Sequence, residues 1–350
     1  MTTKPSTVAQ TTTGVAAGLA IFYFLRPVLV PFFLALLLRV LVGGIVALVI
    51  RLAPRAPKWL TVIATAAIVG LGAYGIFIII LQGITDLVKQ GPMLPAQFEG
   101  LAHLIGMGLG RSLNSATVLG LIDLPTIEHN LASSLGDAMS EGLLTLIFLF
   151  FMLLGPGIDA DPKVDKFAGN ETRARSQRLI FHHIVRGVQA YLVSQTVINF
   201  AIAILAAIVF HFSPLADKAF WAVSVFLLAF MPVVGPFVAS AGPAMFIALQ
   251  TQSLVPPLVV FLSVLLIFQV AHNVLLPRIQ ARSTNTDPLI GILLLGVWTL
   301  LWGIPGAILS TPLTVLMIDV SAQFQSTRWL AIVMSHDGNP NPNDSEVIVE

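Results

Sequence analysis

Apolar residues fill this chain in runs of spanning length, not in the short alternations or narrow stripes of a soluble fold. About 20 apolar residues are needed to cross roughly 30 Å of hydrocarbon. By that measure residues 14–81 predict the first membrane helices. They follow a polar tail over 1–13 that carries Lys4 and shows no small-residue cleavage site, so the first helix reads as uncleaved. Within that region, Gly14 to Ile50 is interrupted by Arg26-Pro27, Pro31 and Arg39, and reads as two short helices or one helix and a surface segment. Leu60 to Leu81 is a cleaner span. Residues 82–141 hold Asp86, Lys89, Glu99, Arg111, Asp123, Glu128 and Asp137 and predict a small helical segment outside the membrane. Residues 142–155 complete a further membrane helix, 156–190 predict a loop and a basic surface helix, and 326–350 predict a disordered tail.

The remaining stretch, 191–325, predicts the functional core. Val188 to Ala216 contains no Asp, Glu, Lys or Arg and supports one span. Ala219 to Pro277 also contains none, but its 59 residues are too many for one helix and too few for a tidy three. Pro and Gly divide it. Trp221 to Phe230 and Phe237 to Gln250 flank the break Met231-Pro-Val-Val-Gly-Pro236, and at about 1.5 Å per residue each arm is too short to cross alone. A re-entrant hairpin over 220–250 fits better than a span. Leu254 to Leu276 then crosses, and 288–319 repeats the pattern with a break at Gly303-Ile-Pro-Gly306. The break residues of interest are therefore Pro232, Gly235, Pro236, Gly303, Pro305 and Gly306. The fold predicted is all-α: a polytopic membrane protein with about five to six spanning helices and two re-entrant helical hairpins. A helix and hairpin repeated in opposite orientation is an inverted-repeat layout, in which broken segments meet near the bilayer midplane.

Composition agrees with the pattern. Hydrophobic residues make up 56% of the 350 and charged ones 10%, against roughly a quarter charged in a soluble domain. A net charge of +1 points to neither nucleic acid nor an acidic substrate, and the absence of cysteine removes disulfides, thiolate catalysis and Cys-based zinc sites. Positive charge orients the chain. Placing the N-terminus, Arg51 to Lys58, Asp159 to Arg186, Arg278 to Arg282 and the C-terminus on one side collects thirteen of the eighteen Lys and Arg residues, so that side is the cytoplasm.

Catalytic signatures are missing. There is no His-Glu-x-x-His, no Gly-x-Ser-x-Gly, no phosphate loop and no pair of carboxylates inside a span, so neither an enzyme nor a metal or cofactor is expected. Such a chain is expected to move a solute across or within the bilayer, with membrane lipids as its other partner. Arg175, Arg178, His182 and Arg186 recur at steps of three and four opposite Ile180, Ile184, Val185 and Val188, which predicts a basic amphipathic helix on an anionic lipid surface. Gln195 and Asn199 lie one helical turn apart in one span, and Gln269, His272 and Asn273 are similarly spaced in another. Both clusters are candidates for the substrate path. Their alternative role is to join helices by hydrogen bonds, with His272 bonded to Gln195 or Asn199. His272 is also the one titratable side chain in 219–277, and imidazole is the group that changes charge near physiological pH.

The order of motifs resembles a known family. Pro31-Phe-Phe-Leu-Ala-Leu-Leu-Leu38, Pro57-Lys-Trp-Leu60, Phe230-Met-Pro-Val-Val-Gly-Pro236 and Asn273-Val-Leu-Leu-Pro-Arg278 come first; Asp287-Pro-Leu-Ile290, Gly303-Ile-Pro-Gly306 and Thr311-Pro-Leu313 follow. Together they look like the autoinducer-2 exporter family of bacterial inner-membrane proteins, over nearly the whole chain. The resemblance implies a multi-pass transporter with cytoplasmic termini and a homo-oligomer such as a pentamer. Its implied activity is export of the quorum-sensing signal autoinducer-2 or of a related small polar molecule. Sodium or proton antiport is the alternative it carries, and a channel-like scaffold is a third reading. Where many members have an acidic residue before the Asn of the Asn-Val-Leu-x-Pro motif, this chain has His272, which counts against carboxylate-based cation coupling.

Overall fold

A computed structural model describes residues 7–52, 57–109, 124–154, 171–231, 233–276, 287–323, 325 and 327–338. Among them every regular element is a helix. Among the described residues six runs are long and apolar enough to cross a membrane: Arg26–Ala47, Ile63–Ala102, Val188–His211, Val234–Thr251, Val255–Leu275 and Pro288–Ala322. Ser140–Leu154 and Lys218–Leu228 are shorter apolar helices. Many of their large apolar side chains, such as Phe150, Phe200, Leu262 and Leu300, lie on the outside. A surface of that kind is stable against lipid tails and not against water. The chain divides into two compact units, residues 41–138 and 189–284 in one and residues 1–40, 139–188 and 285–350 in the other.

The first of these units is built around one apolar face on each of several helices. Helix α3 (Lys58–Gln90) ends at Gly91-Pro92, where proline cannot continue the ladder, and α4 (Leu94–Leu109) follows after a short 3₁₀ turn. Helix α6 (Glu171–His211) contributes Ile198, Ile202, Ala206 and Phe210, spaced at four residues so that they share a face. Helix α9 (Val255–Val270) starts at Pro256-Pro257, where the missing amides have no helical partner anyway, and adds Val260, Val264 and Phe268. Between them α7 (Lys218–Leu228) and α8 (Val234–Thr251) complete the core with Val225, Ala229, Ala239, Phe246 and Ile247.

Helices α7 and α8 form an antiparallel hairpin. Leu228 faces Gly235 and Trp221 faces Gly242, positions equidistant from the turn, and a Cβ on Gly242 would come within 2.7 Å of the Trp221 ring. Its base is closed where the Ala216 amide donates to Gln250 Oε1 at 3.4 Å. Gln252, in the left-handed region at φ 48°, ends α8 and turns the chain into α9.

The second unit holds α1 (Thr7–Phe24), the first part of α2 (Arg26–Leu52), the C-terminal half of α5 (Leu124–Leu154), the first part of α6, α10 (Pro288–Gln323) and α11 (Arg328–Met334). Helix α10 (Pro288–Gln323) is interrupted at Gly303, whose φ of 66° and ψ of −143° are not helical. The chain folds back there: Gly306 lies against the Trp298 carbonyl, eight residues earlier, which a continuous helix would hold about 12 Å away. Ile318 at the end of the second arm lies in one cluster with Ala331 and Met334, against which Ile290 of the first arm packs. Asp287 caps the first arm, accepting from the Leu289 and Ile290 amides at 2.8 and 3.2 Å, and its own amide donates to the Met334 carbonyl at 3.0 Å.

Three sequence readings change. The region 14–50 is two helices parted at Leu25, next to Arg26-Pro27, and α2 runs through both Pro31 and Arg39. The basic surface helix and the following span are one continuous helix, α6; the side chains of Arg175, Arg178 and His182 lie outside the described residues, and Arg186 is exposed. The helix that 142–155 completes begins in the preceding segment, at Leu124. The tail expected from 326 opens with a helix, α11 (Arg328–Met334), anchored by buried Ala331 and Met334.

Candidate functional site

Gln195 and Asn199 are brought together with the first hairpin's break. One turn apart on α6, they share a face, and Gln195 Nε2 donates to Asn199 Oδ1 at 3.0 Å. The same nitrogen reaches the Ala229 carbonyl at 3.5 Å, the C-cap position of α7 immediately before the turn. Asn199 is 0% exposed, yet among the described residues its Nδ2 has no partner, and a buried donor left without an acceptor costs about 1–3 kcal/mol.

The break is strained. Val233 sits at φ 61°, ψ −55°, a region that β-branched residues avoid at a cost of about 1–3 kcal/mol. Gly235 follows because a Cβ there would overlap the Leu228 carbonyl, and Pro236 then lies within the first turn of α8, where its missing amide costs no helical bond. Pro232 lies outside the described residues. In the second hairpin Gly303 supplies a backbone conformation open almost solely to glycine, and Gly306, after Pro305, meets the Trp298 carbonyl and the Trp302 Cβ.

The second polar cluster stays separate from the first. Asn273 Nδ2 donates to Gln269 Oε1 and to the Gln269 carbonyl, both at 2.9 Å, and both residues are exposed on the outside of the chain. His272 does not bond to Gln195 or Asn199. Its Nδ1 is 3.0 Å from the Phe268 carbonyl on its own helix, and its ring stacks on Phe268 at 5.9 Å. These residues occupy a π-helical turn, Ala271–Leu275. Such turns are frequent at functional sites.

Residues 14–326 match the model of the AI-2E family transporters. The chain belongs to that family. Among its relatives, the AI-2 transport protein TqsA of Escherichia coli K12 is 27% identical over 319 residues, 89% of this chain and 90% of that protein. YhhT of the same organism is 27% identical over 300 residues, 82% of each chain. As an AI-2E family transporter, the chain is a membrane protein, and both of its Gly- and Pro-rich breaks lie inside the matched region.

Several residues of these sites in the AI-2E chain escape a reading of the sequence. Trp298, Trp302 and Phe22 pack together beside the second break, and Gln252 ties α4 to the end of the first hairpin by donating to the Gln97 carbonyl at 2.9 Å. An isolated Trp or Gln in an apolar run carries no periodic signal. Only the tertiary partner, 280 positions away for Trp302 and 155 for Gln252, gives it a role.

Proposed function

We propose that this AI-2E family transporter exports a small polar molecule, autoinducer-2 or a related signal or metabolite, across the bacterial inner membrane, with both termini cytoplasmic. The observation that carries the reading is the closure of both hairpins at their bases. The Ala216–Gln250 bond sets the two ends of 218–251 side by side, so the shorter arm limits how deep the turn can reach. Helix α7 has 11 residues, about 16 Å, against roughly 30 Å of hydrocarbon. The first arm of α10 is about 22 Å by the same measure. These lengths support re-entrant hairpins whose breaks lie in the bilayer interior, where irregular backbone is tolerated only along protein or a water-filled cavity. One crossing, α9, separates the hairpins along the chain, so they enter from opposite faces, the inverted-repeat arrangement.

Gln195 and Asn199 then lie beside the first break as part of the substrate path. The unpartnered Asn199 amide supports an oxygen-bearing substrate, and TqsA is named for AI-2 transport. The exposed Gln269–Asn273 pair supports a homo-oligomer in which a second copy covers it, since such groups are poorly placed against lipid. Flux through purified protein in proteoliposomes tests the reading. Autoinducer-2 is expected to leave the cytoplasmic-side compartment faster than from empty vesicles. Exchange of sodium for protons without autoinducer-2 movement would favour the antiporter, and no flux of either kind would sink the transport reading.

A further inference from the structure

We infer that Trp302 positions the break of the second hairpin and that α1 is the strap to which it is tied. Trp302 directly precedes Gly303 and is 4% exposed. Its indole Nε1 donates to the Phe22 carbonyl at 3.0 Å. Its ring stacks on Phe22 at 5.9 Å and packs against Phe33 at 5.5 Å and Trp298 at 5.0 Å. The bond answers two needs at once. Phe22 is in the last turn of α1, where carbonyls lose their helical partners. A buried indole N–H likewise needs an acceptor in a medium without water.

Among the described side chains of α1, Leu19, Ile21, Tyr23 and Phe24 are exposed, and Phe22 alone joins the aromatic cluster. On the other side of the turn nothing approaches a Cβ on Gly303 within 4 Å, and Ile304 is 73% exposed. Among the described residues the break is therefore held on one side, by Phe22 of α1 together with Phe33 of α2, and open on the other. Releasing Trp302 from Phe22 frees the turn without dismantling the arms, whose bases share the cluster of Ile290, Ile318, Ala331 and Met334.

This inference rests on the reading of the break as part of the transport path, but its test does not. The chain has no cysteine, so Ile304→Cys introduces its sole thiol. Its rate of reaction with N-ethylmaleimide in native membranes is compared in the parent and in Trp302→Phe, which keeps an aromatic ring and loses the donor. The expected rise is about fivefold, the equilibrium factor of one net hydrogen bond, with no change for a cysteine at Val234 in the other hairpin. An unchanged rate at Ile304, or an equal rise at Val234, overturns the inference. Should Trp302→Phe fail to reach the membrane, Phe22→Ala removes the ring platform from the other side and must raise the Ile304 rate alone. Latching without any flux would leave the strap standing and remove the transport reading.

Discussion

Gly306 presses its backbone against the carbonyl oxygen of Trp298, and Gly235 stands in the same relation to Leu228. In each hairpin the residue that meets the first arm just after the turn has no side chain. That absence lets two helical arms close on each other within a few residues, which the short α7 requires if its turn is to stay packed on the Ile198, Val264 and Phe268 core.

Gly306→Ala and Gly235→Ala are expected to destabilise the protein by at least about 1–3 kcal/mol, the cost of forcing extra volume into a packed site. Gly296→Ala serves as the control, since nothing lies within 4 Å of its Cβ position and alanine is the better helix former. Thermal unfolding in detergent compares the three. Equal melting temperatures for Gly306→Ala and Gly296→Ala would contradict the folded-back geometry.

Re-entrance has a direct chemical test. Single cysteines at Val234 and Ile304, both exposed at the turns, are expected to react with an impermeant thiol reagent from the outside and from the cytoplasm respectively. If neither reacts while cysteines at Gln250 and Leu254 react from the cytoplasm, the segment from α7 to α8 is a tilted span.

Helices and breaks were legible because each is a local property. Apolar runs mark the helices, and Pro27, Gly235, Gly303 and Pro305 mark where ladders stop. The boundary placed between a surface helix and a span at 190 failed for a physical reason. Polarity changes along α6 but helix propensity does not, with Gly187 the sole glycine and no proline between Glu171 and His211, so one helix passes from one solvent to another. The pairing of His272 with Gln195 or Asn199 failed because a carbonyl one turn back on its own helix is always within reach. The apolar run of α11 lay open in the sequence but was outweighed by the polar tail after it.

The joint between α4 and the first hairpin predicts a coupled pair. A Cβ on Gly100 would overlap the Gln252 side-chain amide, which holds the Gln97 and Leu249 carbonyls at 2.9 and 2.8 Å. Gly100→Ala is expected to cost about 1–3 kcal/mol in the parent and little in a Gln252→Ala background, where the space is free. The coupling read from a double-mutant cycle on thermal stability should be about 0.5–3 kcal/mol. Strict additivity would show that α4 does not dock on Gln252.

Gln195 and Asn199 allow stability to be separated from function. Asn199→Leu takes the acceptor at 3.0 Å away from Gln195 and leaves its amide with only the long contact to Ala229. That single change is expected to cost about 1–3 kcal/mol, the penalty of a buried group deprived of its partner. The double variant Gln195→Leu with Asn199→Leu removes the whole network and the unpartnered Nδ2 with it, and replacing both partners by apolar groups of similar shape is close to neutral or stabilising. The double variant should therefore melt at or above the parent temperature while flux in proteoliposomes falls to that of empty vesicles. A pair kept for packing alone predicts the reverse: flux that follows stability, lost in the single variant and recovered in the double. Recovered flux would take Gln195 and Asn199 out of the substrate path and leave them as a joint between α6 and the hairpin.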